Sequence, residues 1–68
     1  MWKQYRRKNI AEMREFIPGE RLINVSVSMV DVQAHSPKEG DMIARNPMNH
    51  EDQWLVAKQY FLDNFEEI

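Results

Sequence analysis

GDMIARNPMNHEDQWLVA, residues 40–57, is the stretch whose reading decides the fold. Two short apolar, partly β-branched runs, MIAR and QWLVA, flank the turn dipeptide Asn46-Pro47, which reads most simply as a β-hairpin with NPMNHED as its loop. The same residues support a rival pattern. An Asn49 cap, Glu51 and Asp52 in a first turn, and Trp54, Ala57, Phe61, Phe65 and Ile68 at helical spacing would make one long helix. A strand to about Ala57 and a short helix from about Lys58 to Phe65 is the preferred reading, because Asp-Gln-Trp-Leu-Val directly follows a strong turn signal.

Outward from this hairpin, Pro18-Gly19 marks one turn and Ser36-Pro37-Lys38-Glu39-Gly40-Asp41 has the composition of a loop. Between them, NVSVSMVDV alternates, with Val25, Val27 and Met29 on one face and Ser26, Ser28 and Val30 on the other, which predicts a half-buried strand. Residues 3–17 admit two readings. Asn9-Ile10-Ala11-Glu12 mimics a capping box ahead of Ile10, Met13, Phe16 and Ile17 on one helical side, whereas Trp2 to Lys8 suits an extended edge strand. The expected fold is a small α+β domain spanning 1–68, with an antiparallel sheet of about three strands and one or two short helices, one of them C-terminal.

A 68-residue chain buries only about 60% of the surface its unfolded form exposes, so its core is thin. With no cysteine, neither a disulfide nor a thiolate metal site is available, and self-association as a homodimer is one route to added stability. A hydrophobic share of 43% against 29% charged is ordinary for a folded domain. The longest purely hydrophobic run is Trp54-Leu55-Val56-Ala57, far short of a membrane span, and WKQYRRK leads into no signal-peptide core, so the expected address is cytoplasmic with no membrane partner.

Charge is unevenly placed. Residues 1–14 carry Lys3, Arg6, Arg7, Lys8 and Arg14 against Glu12, while residues 51–68 carry Glu51, Asp52, Asp63, Glu66 and Glu67 against Lys58. Oppositely charged ends can lie side by side in one fold, or each can offer a patch to a partner of opposite sign.

Catalytic chemistry finds little foothold. His35 and His50 each have carboxylates nearby, but His-Glu-Asp in consecutive positions cannot converge on one metal ion. Ser26 and Ser28 lack a nucleophile elbow, Ser36 beside His35 is adjacent in sequence only, and neither glycine belongs to a phosphate-cradling loop. The chain is expected to be no enzyme and to use no cofactor or metal. Trp2, Tyr5, Arg6, Arg7 and Lys8 form the denser cue, since aromatic faces stack on unpaired bases while neighbouring cations neutralise phosphate. Trp54, Tyr60, Phe61 and Phe65 read as a group as core, with room for one or two to stay exposed, and Met48, in the hairpin loop, as the methionine placed for a contact.

YRRK at 5–8, PGE at 18–20, VSVS at 25–28, GDMIARNP at 40–47, DQWLVA at 52–57 and the Tyr60-Phe61…Asn64-Phe65-Glu66-Glu67 finish together resemble a group of small uncharacterised proteins encoded by tailed bacteriophages and prophages. The likeness covers most of the chain, with GDMIARNPxNxxDQWxVA as its most specific part. It implies a small sheet with a short C-terminal helix and expression in the cytoplasm of an infected bacterium, but it supplies no activity and no catalytic residues. VDVQAHSPKEG is longer than the group leads one to expect, which puts that loop's conformation in doubt. Class membership implies an accessory protein that binds a host protein and modulates or inhibits it, in host takeover or anti-defence. Its expected contact residues are Trp2, Tyr5, Arg6 and Arg7 at one end and the turn Met48, Asn49, His50, Glu51 and Asp52. The alternatives are a nucleic-acid-binding protein using the basic–aromatic N-terminal cluster, and a structural or assembly component of a virion.

Overall fold

The computed structural model describes residues 1–6 and 10–68. Four strands and two helices follow one another as β1 (Glu12–Glu15), β2 (Val25–Ser26), α1 (Met29–Gln33), β3 (Met42–Asn46), β4 (Asn49–Val56) and α2 (Lys58–Asn64). The strands make one sheet in the order β1-β3-β4-β2, antiparallel except for β2 beside β4. The α+β class holds, with a fourth strand and one parallel pair that make the sheet mixed.

The deciding stretch behaves as a hairpin and not as a helix. Ile43 stands opposite Leu55 and Ala44 opposite Trp54, so side-chain alternation sends one set of residues to each face. On the first face Phe16, Ile43 and Leu55 form the buried cluster, with Leu22, Val25 and Val27 packed against it. The second face carries Met13, Met42, Ala44, Trp54 and Val56, and α2 places Phe61 and Phe65 beside Met13 and Met42. The strand ends at Val56 and the helix begins at Lys58, as the sequence leads one to expect.

Asp41, at the entry to β3, ties the segments together. Its side chain is 0% exposed. Oδ2 accepts from the Ser36 hydroxyl at 2.8 Å and the Lys38 amide at 3.0 Å, while Oδ1 accepts from the Lys58 amide at 3.0 Å. Ala57, the residue ahead of α2, makes no side-chain cap hydrogen bond, so Asp41 reaches across the fold to satisfy the first helical N–H. Its own carbonyl accepts from Phe16 at 2.9 Å, which fixes the end of β1. Gly40 makes the approach possible: its φ of +94° lies in the left-handed region, and a Cβ there would meet Lys58 Cδ at 2.6 Å.

Pro18-Gly19 is the turn expected of it. Glu20 N–H donates to the Ile17 carbonyl at 3.0 Å and Gly19 has φ +91°, the left-handed third position that a type II turn requires. Glu20 then closes the turn from outside, accepting from Ile17 N–H at 2.6 Å and from both terminal nitrogens of Arg14 at 2.8 Å.

These bonds give the fold an acid limit. The hydrogen bonds from Arg14, then that from Ile17, pull the Glu20 carboxyl down to about 2. Burial alone would raise Asp41, but the combined hydrogen bonds from Ser36, Lys58 and Lys38 overcome it and hold the group below the ordinary aspartate value. Groups depressed in the folded state add stability that is complete above their unfolded values, near 4, and vanishes as pH falls through the folded ones. Circular dichroism across an acid titration is expected to show a flat signal above about pH 5 and unfolding between about pH 4 and 2. Unchanged thermal stability at pH 2.5 would show that neither carboxylate matters.

Three expectations need correction. NVSVSMVDV is not one strand: only Val25 and Ser26 pair, and the chain turns into α1 at Ser28, whose Oγ accepts from the Asp31 amide at 3.1 Å as an N-cap. NPMNHED is not all loop, because the turn is Pro47-Met48 alone; Met48 N–H donates to Asn46 Oδ1 at 2.9 Å and Glu51 N–H to Asn49 Oδ1 at 3.2 Å, two local bonds that tighten it. Between residues 10 and 17 the structure has the edge strand β1 and no helix, and Trp2 to Arg6 is irregular where an edge strand was an option. The Asn9 cap, with Arg7 and Lys8, lies outside the described residues.

Candidate partner-binding surfaces

Asn46 and Asn49 hold a two-residue turn, and that places Met48 at the tip, 87% exposed. Asn49, His50, Glu51 and Asp52 are all exposed as well, but they belong to β4 and not to a loop. Pairing jumps from Asn46↔Asn49 to Arg45↔Gln53, so His50, Glu51 and Asp52 bulge opposite no residue of β3. Since β2 pairs with β4 only at Gln53 and Trp54, this bulged start of the strand presents its outer edge to solvent.

His50 reaches back over the sheet. Its Nε2 lies 3.5 Å from Glu12 Oε1, the same oxygen that accepts from Arg45 Nε at 2.8 Å. Glu12 and Arg45 are cross-strand partners, so β1, β3 and β4 converge on one carboxylate. A cleft of about 270 Å³ beside it is lined by Glu12, Met13, Arg14, Ile43, Arg45 and Gln53. All three converging groups are about half exposed, where such pairs contribute about 1 kcal/mol or less. They fix a charged surface and assemble no nucleophile with its base.

At the other end of the sequence, Trp2, Tyr5 and Arg6 are exposed and outside any helix or strand. Arg7 lies outside the described residues. The turn with its bulged strand and the basic–aromatic segment are thus two exposed stretches among the described residues.

Sequence reasoning missed a third surface. An open trough of about 990 Å³ runs along the second sheet face, with Val30 of α1, Trp54 and Val56 of β4, and Tyr60, Phe65 and Ile68 in its lining. Of Trp54, Tyr60, Phe61 and Phe65, expected as a group to be core with one or two left exposed, Tyr60 is exposed and the other three are half-buried; none is fully buried, and the seven-residue α2 contributes no buried residue. Phe65 stacks on Phe61 at 6.2 Å and meets Tyr60 at 6.1 Å. Met29, also placed on an apolar face by the sequence, is exposed on α1. The readable signal was Ser28-x-x-Asp31, a helix start that turns Met29, Val30 and Val32 out of the sheet.

Among the described residues, no three His, Asp or Glu side chains group closely enough to hold a metal ion, and no helix is long and apolar enough to cross a membrane. Comparison with family models, curated proteins and solved structures finds no match for the chain.

Proposed function

We propose that the chain is a small non-enzymatic accessory protein that binds a host protein and modulates or inhibits it in the cytoplasm of an infected bacterium. One observation supports this reading above others. Among the described residues thirteen large apolar side chains are exposed while five hydrophobic residues are buried, an inverted balance for a domain that works alone. A partner that covers part of this surface resolves the imbalance. Trp2, Tyr5 and Arg6 are of the residue types that dominate binding energy at interfaces, and Arg7 extends the same run by sequence. Met48 offers an adaptable apolar tip beside the polar Asn49, His50, Glu51 and Asp52.

The test is affinity capture from host lysate with a tagged chain, at low and high salt and after nuclease treatment, beside a variant carrying Trp2→Ala, Arg6→Glu and Met48→Asp. The native chain is expected to retain one stoichiometric host protein through nuclease treatment, with a loss of about tenfold or more in the variant. Equal capture by both chains would remove these residues from the contact.

Exposure of Trp2, Tyr5 and Arg6 together also supports a second reading, binding of single-stranded nucleic acid. That reading requires affinity that falls steeply with salt and collapses in Arg6→Glu. The acidic C-terminal half, including Asp63, Glu66 and Glu67, works against it.

A further inference from the structure

We propose that residues 1–6 of one copy seat in the trough of a second copy, and reciprocally, so that the chain forms a two-fold dimer by exchanging its N-terminal segments. The inference goes beyond host binding and competes with it for residues 1–6: in the dimer Trp2 and Tyr5 are covered, which leaves the turn at Met48 as the surface open to a host protein.

Charge complementarity identifies the occupant. Asp31 and Glu66 are the charged residues lining the trough, and Glu67 joins Glu66 in the adjoining groove; neither lining contains a cation among the described residues. Such a site favours an apolar or aromatic segment that carries positive charge. Residues 1–6, MWKQYR, have that composition, with Lys3 and Arg6 spaced among Met1, Trp2 and Tyr5.

Position supports the exchange. Tyr5 borders the trough of its own copy yet remains 88% exposed, and Met1 and Trp2 are fully exposed. The segment thus contributes Tyr5 to the wall of its own trough, while Met1 and Trp2 stay outside it. When two copies meet about a two-fold axis, each segment can enter the other's trough, and both contacts form at once with no unpaired site left to propagate. Trp2 and Tyr5 then gain the burial that they lack in the single chain, beside Tyr60 and Phe65. The thin core gives the association a thermodynamic reason, because subunit contact adds stability that the chain cannot draw from its own interior.

Sedimentation equilibrium on the purified chain, over a wide concentration range, tests this with two charge-reversed variants. One carries Lys3→Glu with Arg6→Glu, the other Glu66→Lys with Glu67→Lys. The native chain is expected to show a monomer–dimer equilibrium that weakens with salt. Each variant alone sets like charges against each other in both contacts and is expected to dimerise about tenfold or more weakly. An equimolar mixture restores opposite charges in both contacts, so dimer is expected to return, and its return shows that both variants are folded. A native chain that stays monomeric, a dimer indifferent to both variants, or a mixture no tighter than its components would each overturn the exchange.

Discussion

Asp41→Ala is expected to remove most of the protein's stability at room temperature. Asp41 is the only polar residue buried among the described residues, and its carboxylate satisfies three donors from two segments: the Ser36 hydroxyl and Lys38 amide of the preceding loop and the Lys58 amide at the start of α2. Removing it strands those donors, each at about 1–3 kcal/mol where water cannot replace the lost partner. Even with partial hydration at the helix start, the sum reaches about 3 kcal/mol, against a total of about 3–5 kcal/mol for a domain of this size without disulfides. Asp41→Asn keeps the shape and one acceptor oxygen but turns a donor toward a donor, so an intermediate loss is expected. Urea titration followed by circular dichroism measures both, and a midpoint for Asp41→Ala equal to that of the native chain would refute the role given to this residue.

Ile43→Ala is the second large loss. Ile43 is 3% exposed on β3, one of the two inner strands, and packs with Phe16 and Leu55. Truncating a buried isoleucine costs about 2–5 kcal/mol through lost transfer energy and the cavity left behind. Few other buried side chains are present to close that cavity, so the loss should fall near the middle of the range. Ile23→Ala, at an exposed position, is the matched control and should stay within about 0.5 kcal/mol. Equal shifts in thermal midpoint for the two variants would mean that the cluster of Phe16, Ile43 and Leu55 is not the core.

The hairpin, the Pro18-Gly19 turn and the junction at Ala57 were legible because each rests on local chemistry: Pro and Gly fix backbone angles, and the hydrophobic period changes at the junction. The strand assigned to NVSVSMVDV failed for a physical reason. Val and Ser alternate in the same way whether they continue a strand or lead into a cap, and the Ser28 side chain decided the outcome by bonding the Asp31 amide. Asp41 was read as loop, since no local pattern reveals a carboxylate whose donors include an amide 17 positions away. At the candidate surfaces, exposure of Met48 and of Trp2, Tyr5 and Arg6 was legible from composition and turn placement. The bulge that sets His50 over Glu12 was not, because it depends on register between strands. Nor was the trough, which exists because α2 stops before it can cover the second face.

Amide hydrogen exchange, comparing the free chain with the captured host complex, tests most directly whether this protein acts through its exposed surfaces. Slowed exchange is expected at residues 48–52, in residues 1–6, or in both, with the β3–β4 pairing around Ile43 and Leu55 unchanged. Protection confined to other segments, or a chain that retains no host protein at all, would contradict the assignment.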